Sequence, residues 1–449
     1  MGYQQSLKVK HDIIIVGGGV SGTALLYTLS KYTDVRNIGL IEKYLSFGLV
    51  NSASTMNSQT LHFGDIETNY SLEKAIKVKR SADMIMKYLE TGKTTGNASE
   101  KIFSKYSKMV LGVGKDQVDI LKERYKNFAP EFPHLRIIGK EEIGIIEPRI
   151  MEGRNPDEEL LALVTDQGYT VDFGRLSHSF VNNARKENPD LSIYLSTKVE
   201  EIIKEEDHFK IITNNGEFEA QTVVVAAGSH SLILAKSLGY GKSLSILSIA
   251  GSFYIGPKIL KGKVYTIQDP KLPFAAIHGD PEVHDESITR FGPTAKPIFF
   301  LERYNRSTFF EYWKTFGFSF STFKSIWNIT VDKVILKYLL RNIIYDIPSI
   351  GKRKFLKEVR KIVPNIELKE LKFARKIGGT RPQIVNNATS NLEMGEAKLL
   401  GEKIIFNITP SPGASTCLGN AYEDTITLMK FLDYKYNFNK EKFERDLVL

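Results

Sequence analysis

Asp12-Ile-Ile-Ile-Val-Gly-Gly-Gly-Val-Ser-Gly22 and, further on, Ile38-Gly-Leu-Ile-Glu42 decide how the chain is read. Ile13 to Val16 are apolar and mostly β-branched, the composition of a buried parallel strand. Gly17, Gly18, Gly19 and Gly22 follow at once, and Thr23-Ala-Leu-Leu-Tyr-Thr-Leu-Ser30 has apolar residues at helical spacing. In a dinucleotide site Gly17 permits the tight turn, Gly19 lets backbone approach a pyrophosphate, and Gly22 lets helix pack on strand. The helix N-terminus offers free N–H groups and partial positive charge to that anion. Glu42, at the end of the next strand, is placed to accept hydrogen bonds from a ribose diol.

The remaining composition is that of an ordinary globular chain. It has 449 residues, 42% hydrophobic and 25% charged, enough for a large core and more than one structural unit. Cys417 is the single cysteine, so no internal disulfide exists, which fits a reducing compartment. No Cys/His cluster points to a metal. No apolar stretch approaches the ~20 residues of a membrane span, and the N-terminus reads as lacking a signal peptide. The net charge of +9 favours anionic partners. No RNA-recognition signature is present, so nucleic acid is not expected.

Residues 45–70 form a long polar loop of the functional kind. Ser71 caps a helix reaching Glu90, Met109–Val113 is a strand, and 116–128 and 141–148 are helical. A helix follows Asp172, then strands at 192–195, 199–203 and 209–213. Thr222-Val-Val-Val-Ala-Ala-Gly228 is a buried strand expected to return to the nucleotide. From 244 to 300 short runs at 250–255, 263–268 and 273–278 predict an antiparallel sheet. Residues 303–341 carry 11 of the 48 aromatic residues, both tryptophans (Trp313 and Trp327) and seven Lys/Arg against two acids. With Phe316, Phe320, Phe323 and Trp327 at helical spacing, this predicts an amphipathic insert for a membrane interface. The basic run 352–361 reads as a solvated helix face. Ile404–Thr409 is a strand, and Pro410-Ser-Pro-Gly-Ala-Ser-Thr416 opens a helix from Cys417.

These pieces resemble the FAD-dependent oxidoreductases of the D-amino-acid-oxidase type and, within them, the malate:quinone oxidoreductase family in its shorter form. The resemblance rests on Gly17–Gly22, Glu42, Asn57-Ser-Gln-Thr-Leu-His62, Gly251-Ser-Phe-Tyr254, Pro273-Phe-Ala-Ala-Ile-His-Gly-Asp280, Gly292-Pro-Thr294, Arg381-Pro382 and Thr409-Pro-Ser-Pro-Gly413. It implies an α/β fold: a Rossmann-like FAD-binding domain from 8–70, 150–240 and 370–449, and an α+β substrate domain from 71–149 and 241–369. The latter has a mixed or antiparallel sheet and the helical, aromatic-rich insert at 303–345. Around FAD it implies Gly17, Gly19, Val20, Ser21, Gly22, Glu42, Lys43, Ser58, Gln59, Thr60, Val199, Ala227, Gly228, Arg381, Pro412, Gly413, Ala414 and Ser415.

The implied reaction is oxidation of (S)-malate to oxaloacetate, with electrons passed to a membrane quinone. The implied place is the cytoplasm, peripherally on the inner face of the membrane. An FAD-dependent dehydrogenase or oxidase of another 2-hydroxy acid, such as L-2-hydroxyglutarate, or of an amino acid is the alternative. A dicarboxylate needs cationic clamps: Arg381 for the carboxylate near the flavin, Arg290 for the second. A histidine suits the base; His62 and His278 both qualify, with Asp280 positioned to orient His278. Gln59 and Tyr254 are candidate hydrogen-bond partners of the substrate. His11, His134, His208 and His284 read as surface residues.

Overall fold

The structure is a computed structural model that describes residues 9–91, 101–268, 276–316, 320–347, 349–393, 397–408 and 412–448. The motif residues Pro273–Ala275 and Thr409–Ser411 lie outside the described residues, as do the side chains of Phe320 and Phe323.

An eight-stranded sheet is built on Val9–Val16, whose last six residues are buried. It pairs in parallel with Ile38–Ile41 on one side and Gly216–Val225 on the other. Ile404–Ile408 extends the parallel set beyond Gly216–Val225, and Ser192–Tyr194 beyond Ile38–Ile41. Ile13–Val16, Ile38–Ile41 and Val223–Val225, at the centre of the sheet, carry no polar side chain, as fits strands covered by helices. Val20–Tyr32, Phe173–Glu187 and Cys417–Phe431 pack together on one face, in a core holding Ile13, Ile15, Leu25, Phe180 and Leu418. Cys417 is buried there. The crossover predicted from Thr222–Gly228 is present, with Val225 opposite Val16.

A second, nine-stranded sheet is mixed: Lys263–Thr266 and Phe103–Val113 run parallel, while its other pairs are antiparallel. Leu160–Val171 belongs to this sheet, paired along its length with Phe103–Val113, although 150–240 reads from sequence as the first unit. Thr380–Asn386 likewise pairs with Leu244–Ala250 in a separate four-stranded antiparallel sheet. The run expected as one strand at 250–255 is split, because Gly251, Ser252 and Phe253 leave one sheet and Tyr254–Pro257 enters the other.

Helix boundaries follow local chemistry. Ser71 caps Leu72–Glu90 through Lys74 N at 3.3 Å, and Asp172 caps Phe173–Glu187 through Arg175 N at 2.9 Å. The insert forms Thr308–Phe316, Phe320–Val331 and Lys333–Tyr345, followed by Ile350–Val359. Its two tryptophans differ. Trp313 packs with Leu301, Tyr312 and Phe316 and stacks on Phe299, whereas Trp327 is 67% exposed. Among the described residues no helix is long and apolar enough to cross a membrane.

Candidate active site

The strand ends, the polar loop and the Gly/Ser loops converge on one deep cleft with about 1700 Å³ of space, open solvent at its mouth included. Gly17, Ala226–Gly228 and Pro412–Ser415, far apart in sequence, share its wall. Val20, Ser21, Glu42, Lys43, Ser58, Thr60, Val199 and Arg381 are also there. Gly22 sits behind the wall.

The glycines show why the fold builds a cradle here. Gly17 has φ +114°, and a Cβ on it would lie 2.4 Å from Ala226 O. A Cβ on Gly22 would lie 2.0 Å from Gly17 O. Both glycines are therefore required by the chain itself. Gly19 is different: its nearest neighbour would be Ser52 Oγ at 3.4 Å, an ordinary contact, so the space in front of it belongs to the cleft. Helix Val20–Tyr32 has no side-chain cap on Gly19. Ser52 Oγ accepts from Val20 N at 3.0 Å, while Ser21 N and Gly22 N have no acceptor among the described residues. A cradle that a methyl would fill, beside unspent helix amides, fits a dinucleotide pyrophosphate. Gly22→Ala is expected to destabilise the fold by more than about 2 kcal/mol, since backbone must move. Gly19→Ala should leave the cofactor-free melting temperature unchanged but lower the amount of dinucleotide bound per protein. Thermal unfolding and absorbance of the purified variants check the pair.

Glu42 lines the cleft and already accepts from Gly18 N at 2.6 Å and Tyr44 N at 2.9 Å. Burial raises its carboxyl, and those two N–H groups oppose the shift. Each oxygen keeps a lone pair for a ribose hydroxyl. Lys43 is ion-paired to Glu302 at the start of the insert.

The two histidines are separated by the structure. His62 stands on the cleft wall at the end of strand Thr60–Leu61. Its backbone N donates to Ser415 Oγ at 2.9 Å, and its Nδ1 is 2.7 Å from Glu67 Oε1. Nε2 is thus the ring nitrogen left for the cleft. Burial would raise the Glu67 carboxyl, but the His62 hydrogen bond and the Lys108 charge outweigh it and hold it at about 2. His278 lies one layer deeper, off the wall. Its Nδ1 is 2.6 Å from Asp280 Oδ2 and its ring stacks on Tyr265 at 4.5 Å. Burial lowers the His278 imidazole against the pull of Asp280. Lys263 Nζ lies 3.4 Å from Asp280 and 3.1 Å from Thr60 Oγ1, which reaches Tyr265 OH at 3.1 Å, so this network ends on the wall at Thr60.

Asp280 is also held at about 2, burial being overcome by His278 and Lys263. The pH consequence has a definite sign. A carboxylate depressed in the fold adds stability that is complete above its unfolded pKa, about 4.5 for Glu67, and is lost as pH falls towards 2. Unfolding free energy should therefore drop between pH 4.5 and 2. Denaturant titrations of Glu67→Gln across that window should show a shallower slope than the parent chain.

Arg381, on strand Thr380–Asn386, lines the cleft with no carboxylate in salt-bridge reach among the described residues. Burial pulls its guanidinium below the ordinary range, opposed by the phenols of Tyr338, Tyr70 and Tyr265. Arg381 itself is half-buried, and three buried cations nearby are spent: Lys108 on Asp65 at 2.7 Å, Lys263 on Asp280, and Arg124 on the carbonyls of Gly64, Asp65 and Tyr70. Arg290, buried and without a carboxylate in salt-bridge reach among the described residues, is turned away from the cleft, with its Nε unmatched. It donates to Ser54 O at 3.4 Å and Asn57 O at 2.8 Å and lies over the Phe253 ring, off the cleft wall. Gln59, at φ +57°, turns its side chain to Ser54 O, Glu282 and Val283 N. Tyr254 donates to Tyr345 O at 2.7 Å and stacks on Phe355. These three brace the polar loop and the insert.

Sequence reasoning passed over Ser52 and Glu67, both inside the loop it singled out. The acid five residues after His62 was the available signal for the second. His11, read as a surface residue, is instead buried, with Nδ1 2.8 Å from Asn37 Oδ1 and Nε2 3.0 Å from Tyr194 OH.

A family model described as malate:quinone oxidoreductase matches residues 9–439. The chain is 41% identical over 448 residues to a probable malate:quinone oxidoreductase of Campylobacter jejuni, covering 97% of this chain and 99% of that one. It is 40% identical over 451 residues to a malate:quinone oxidoreductase of Helicobacter pylori, covering 98% of each. Among solved structures, an L-alpha-glycerophosphate oxidase from Mycoplasma pneumoniae with FAD bound superposes with a TM-score of 0.64 at 18% identity, covering 96% of each chain. That likeness shows the fold.

Proposed function

The chain belongs to the malate:quinone oxidoreductase family, and from that premise we propose that FAD is its resident cofactor, held in the cleft, and that Arg381 and His62 carry malate oxidation. The enzyme oxidises malate to oxaloacetate with quinone as the acceptor. When bound, FAD would supply the two-electron redox chemistry that couples malate oxidation to quinone reduction.

The cradle of Gly17, Gly19, Ser21 and Gly228 and the loop Pro412–Ser415 would hold that cofactor, with Glu42 on a ribose. Arg381 binds a substrate carboxylate through its planar fork. His62 Nε2 takes the proton of the 2-hydroxyl, while Glu67 fixes the ring and stabilises the imidazolium that forms. His278 and Asp280 act behind the wall, keeping Lys263 and Thr60 in place. Arg290 positions the 54–57 backbone.

One observation carries this reading: a half-buried arginine with no acid partner among the described residues faces the same cleft as the glycine cradle and a histidine–glutamate pair. A cation partly withdrawn from water with its fork unpaired favours an arriving anion. Because the acceptor is a quinone, we place the enzyme at the inner face of the cytoplasmic membrane as a peripheral protein. Anaerobic addition of (S)-malate should bleach the visible flavin band of the purified protein. Bleaching by L-2-hydroxyglutarate but not by malate overturns the substrate assignment.

A further inference from the structure

Of the 21 large apolar side chains that stand exposed among the described residues, 11 lie between 299 and 350. They are not scattered. On helix Lys333–Tyr345 and just beyond it, Leu336, Leu340, Ile343 and Ile347 repeat at three- and four-residue steps, which is one stripe. Leu340 is 52% exposed, and Ile350, at the start of the next helix, 55%.

The opposite face of the helix is well held. Ile335, Tyr338 and Leu339 pack on Leu247, Ile249 and Val385, and Asn342 Oδ1 accepts from Ala295 N at 2.8 Å. The outward stripe is thus a second apolar surface on a helix whose packing is already complete.

Between this helix and Ile350–Val359 runs a groove floored by Leu336, Leu340 and Ile344. Lys333, Lys337, Lys354 and Lys357 rim it, and none has a carboxylate partner among the described residues. Residues 333–361 hold nine Lys/Arg against Asp346 and Glu358. The basic run 352–361, unremarkable alone, becomes one wall of this groove.

We propose that the outer face of Lys333–Tyr345 and its basic groove dock on an anionic lipid bilayer, the stripe entering the acyl boundary and the lysines meeting headgroup phosphates. Aliphatic side chains ringed by unpaired long cations are the arrangement such an interface rewards. A second copy of the chain fits badly, because the same cations would face each other. The location also serves the reaction. Asp346, at the end of the helix, accepts from Ser252 Oγ at 2.8 Å, and the adjacent Gly251 lines the cofactor cleft. A lipid-dissolved acceptor is thereby brought to the cleft's edge. The inference rests on the peripheral-membrane reading above and names its contact surface.

Vesicle flotation of the holoenzyme tests it, using phosphatidylcholine with and without phosphatidylglycerol. The parent enzyme should bind the mixed vesicles and be released by salt. The double variant Leu336→Ser/Leu340→Ser should bind about thirtyfold more weakly. Lys337→Glu/Lys354→Glu should lose the preference for phosphatidylglycerol. Ile145→Ser, an exposed apolar residue on Lys140–Ile146, should change nothing. Malate turnover with a water-soluble quinone should be equal in all four proteins. Parent-like flotation of both double variants overturns this face and leaves the membrane reading standing. Failure of the parent to bind any vesicle overturns both, and equal binding to neutral and anionic vesicles overturns the role of the lysines.

Discussion

Replacing His62 with asparagine is expected to slow malate-driven flavin reduction by about 10²–10⁴-fold, the usual cost of a lost general base. Asparagine keeps much of the shape and can still donate towards Glu67, so cofactor content should hold. What it lacks is a nitrogen able to accept a proton near neutral pH. His278→Asn should cost far less in rate, because Nδ1 of that ring already faces Asp280 and the ring stands behind the wall. Its loss should act through Lys263 and Thr60, as a rise in KM with a small change in kcat. Glu67→Gln should fall between the two, since the imidazolium that forms in the reaction loses its counter-charge. Anaerobic stopped-flow on the three variants measures this order. A fast His62→Asn beside a slow His278→Asn exchanges their roles.

The contrast between the two histidines shows what a sequence carries. Both sit in motifs, and their residue type announces proton chemistry. Which one reaches the cleft depends on strand pairing: His62 ends the two-residue strand at the rim of the nine-stranded sheet, and His278 is enclosed between strands, opposite Tyr265 and Gly292. The glycine fingerprint was legible because its cause is local, a methyl colliding with backbone a few residues or one strand away. Gln59 was legible as a motif residue and Arg290 as a cation beside one, but neither as a brace. Arg290 faces Asp280 across the strand pair and points at the 54–57 loop, and Gln59 turns away at positive φ. Neither direction is encoded within a few residues of the side chain. The same limit applies to the insert, where aromatic spacing announced a helix. Only packing sends Trp313 inward and leaves the apolar stripe of Lys333–Tyr345 outward.

Arg381→Gln is expected to lower kcat/KM for malate by about 10²–10³-fold, the loss of two charge-assisted hydrogen bonds at about 1.5–3 kcal/mol each, partly offset by the amide. Most of the loss should appear in KM, because a carboxylate clamp holds substrate and transition state alike. Arg381→Lys keeps the charge but not the fork, and should recover only part of the affinity. Stability distinguishes a clamp from a structural arginine. With no carboxylate partner among the described residues, the half-buried guanidinium adds no ion pair to the substrate-free chain. The variant should then melt at the parental temperature or slightly above it without malate. The parent should gain melting temperature on adding malate, and the variant should gain almost none at the same concentration. A variant that melts early without substrate, yet is protected by malate as fully as the parent, would move the clamp to another cation and leave Arg381 as a brace of the antiparallel sheet.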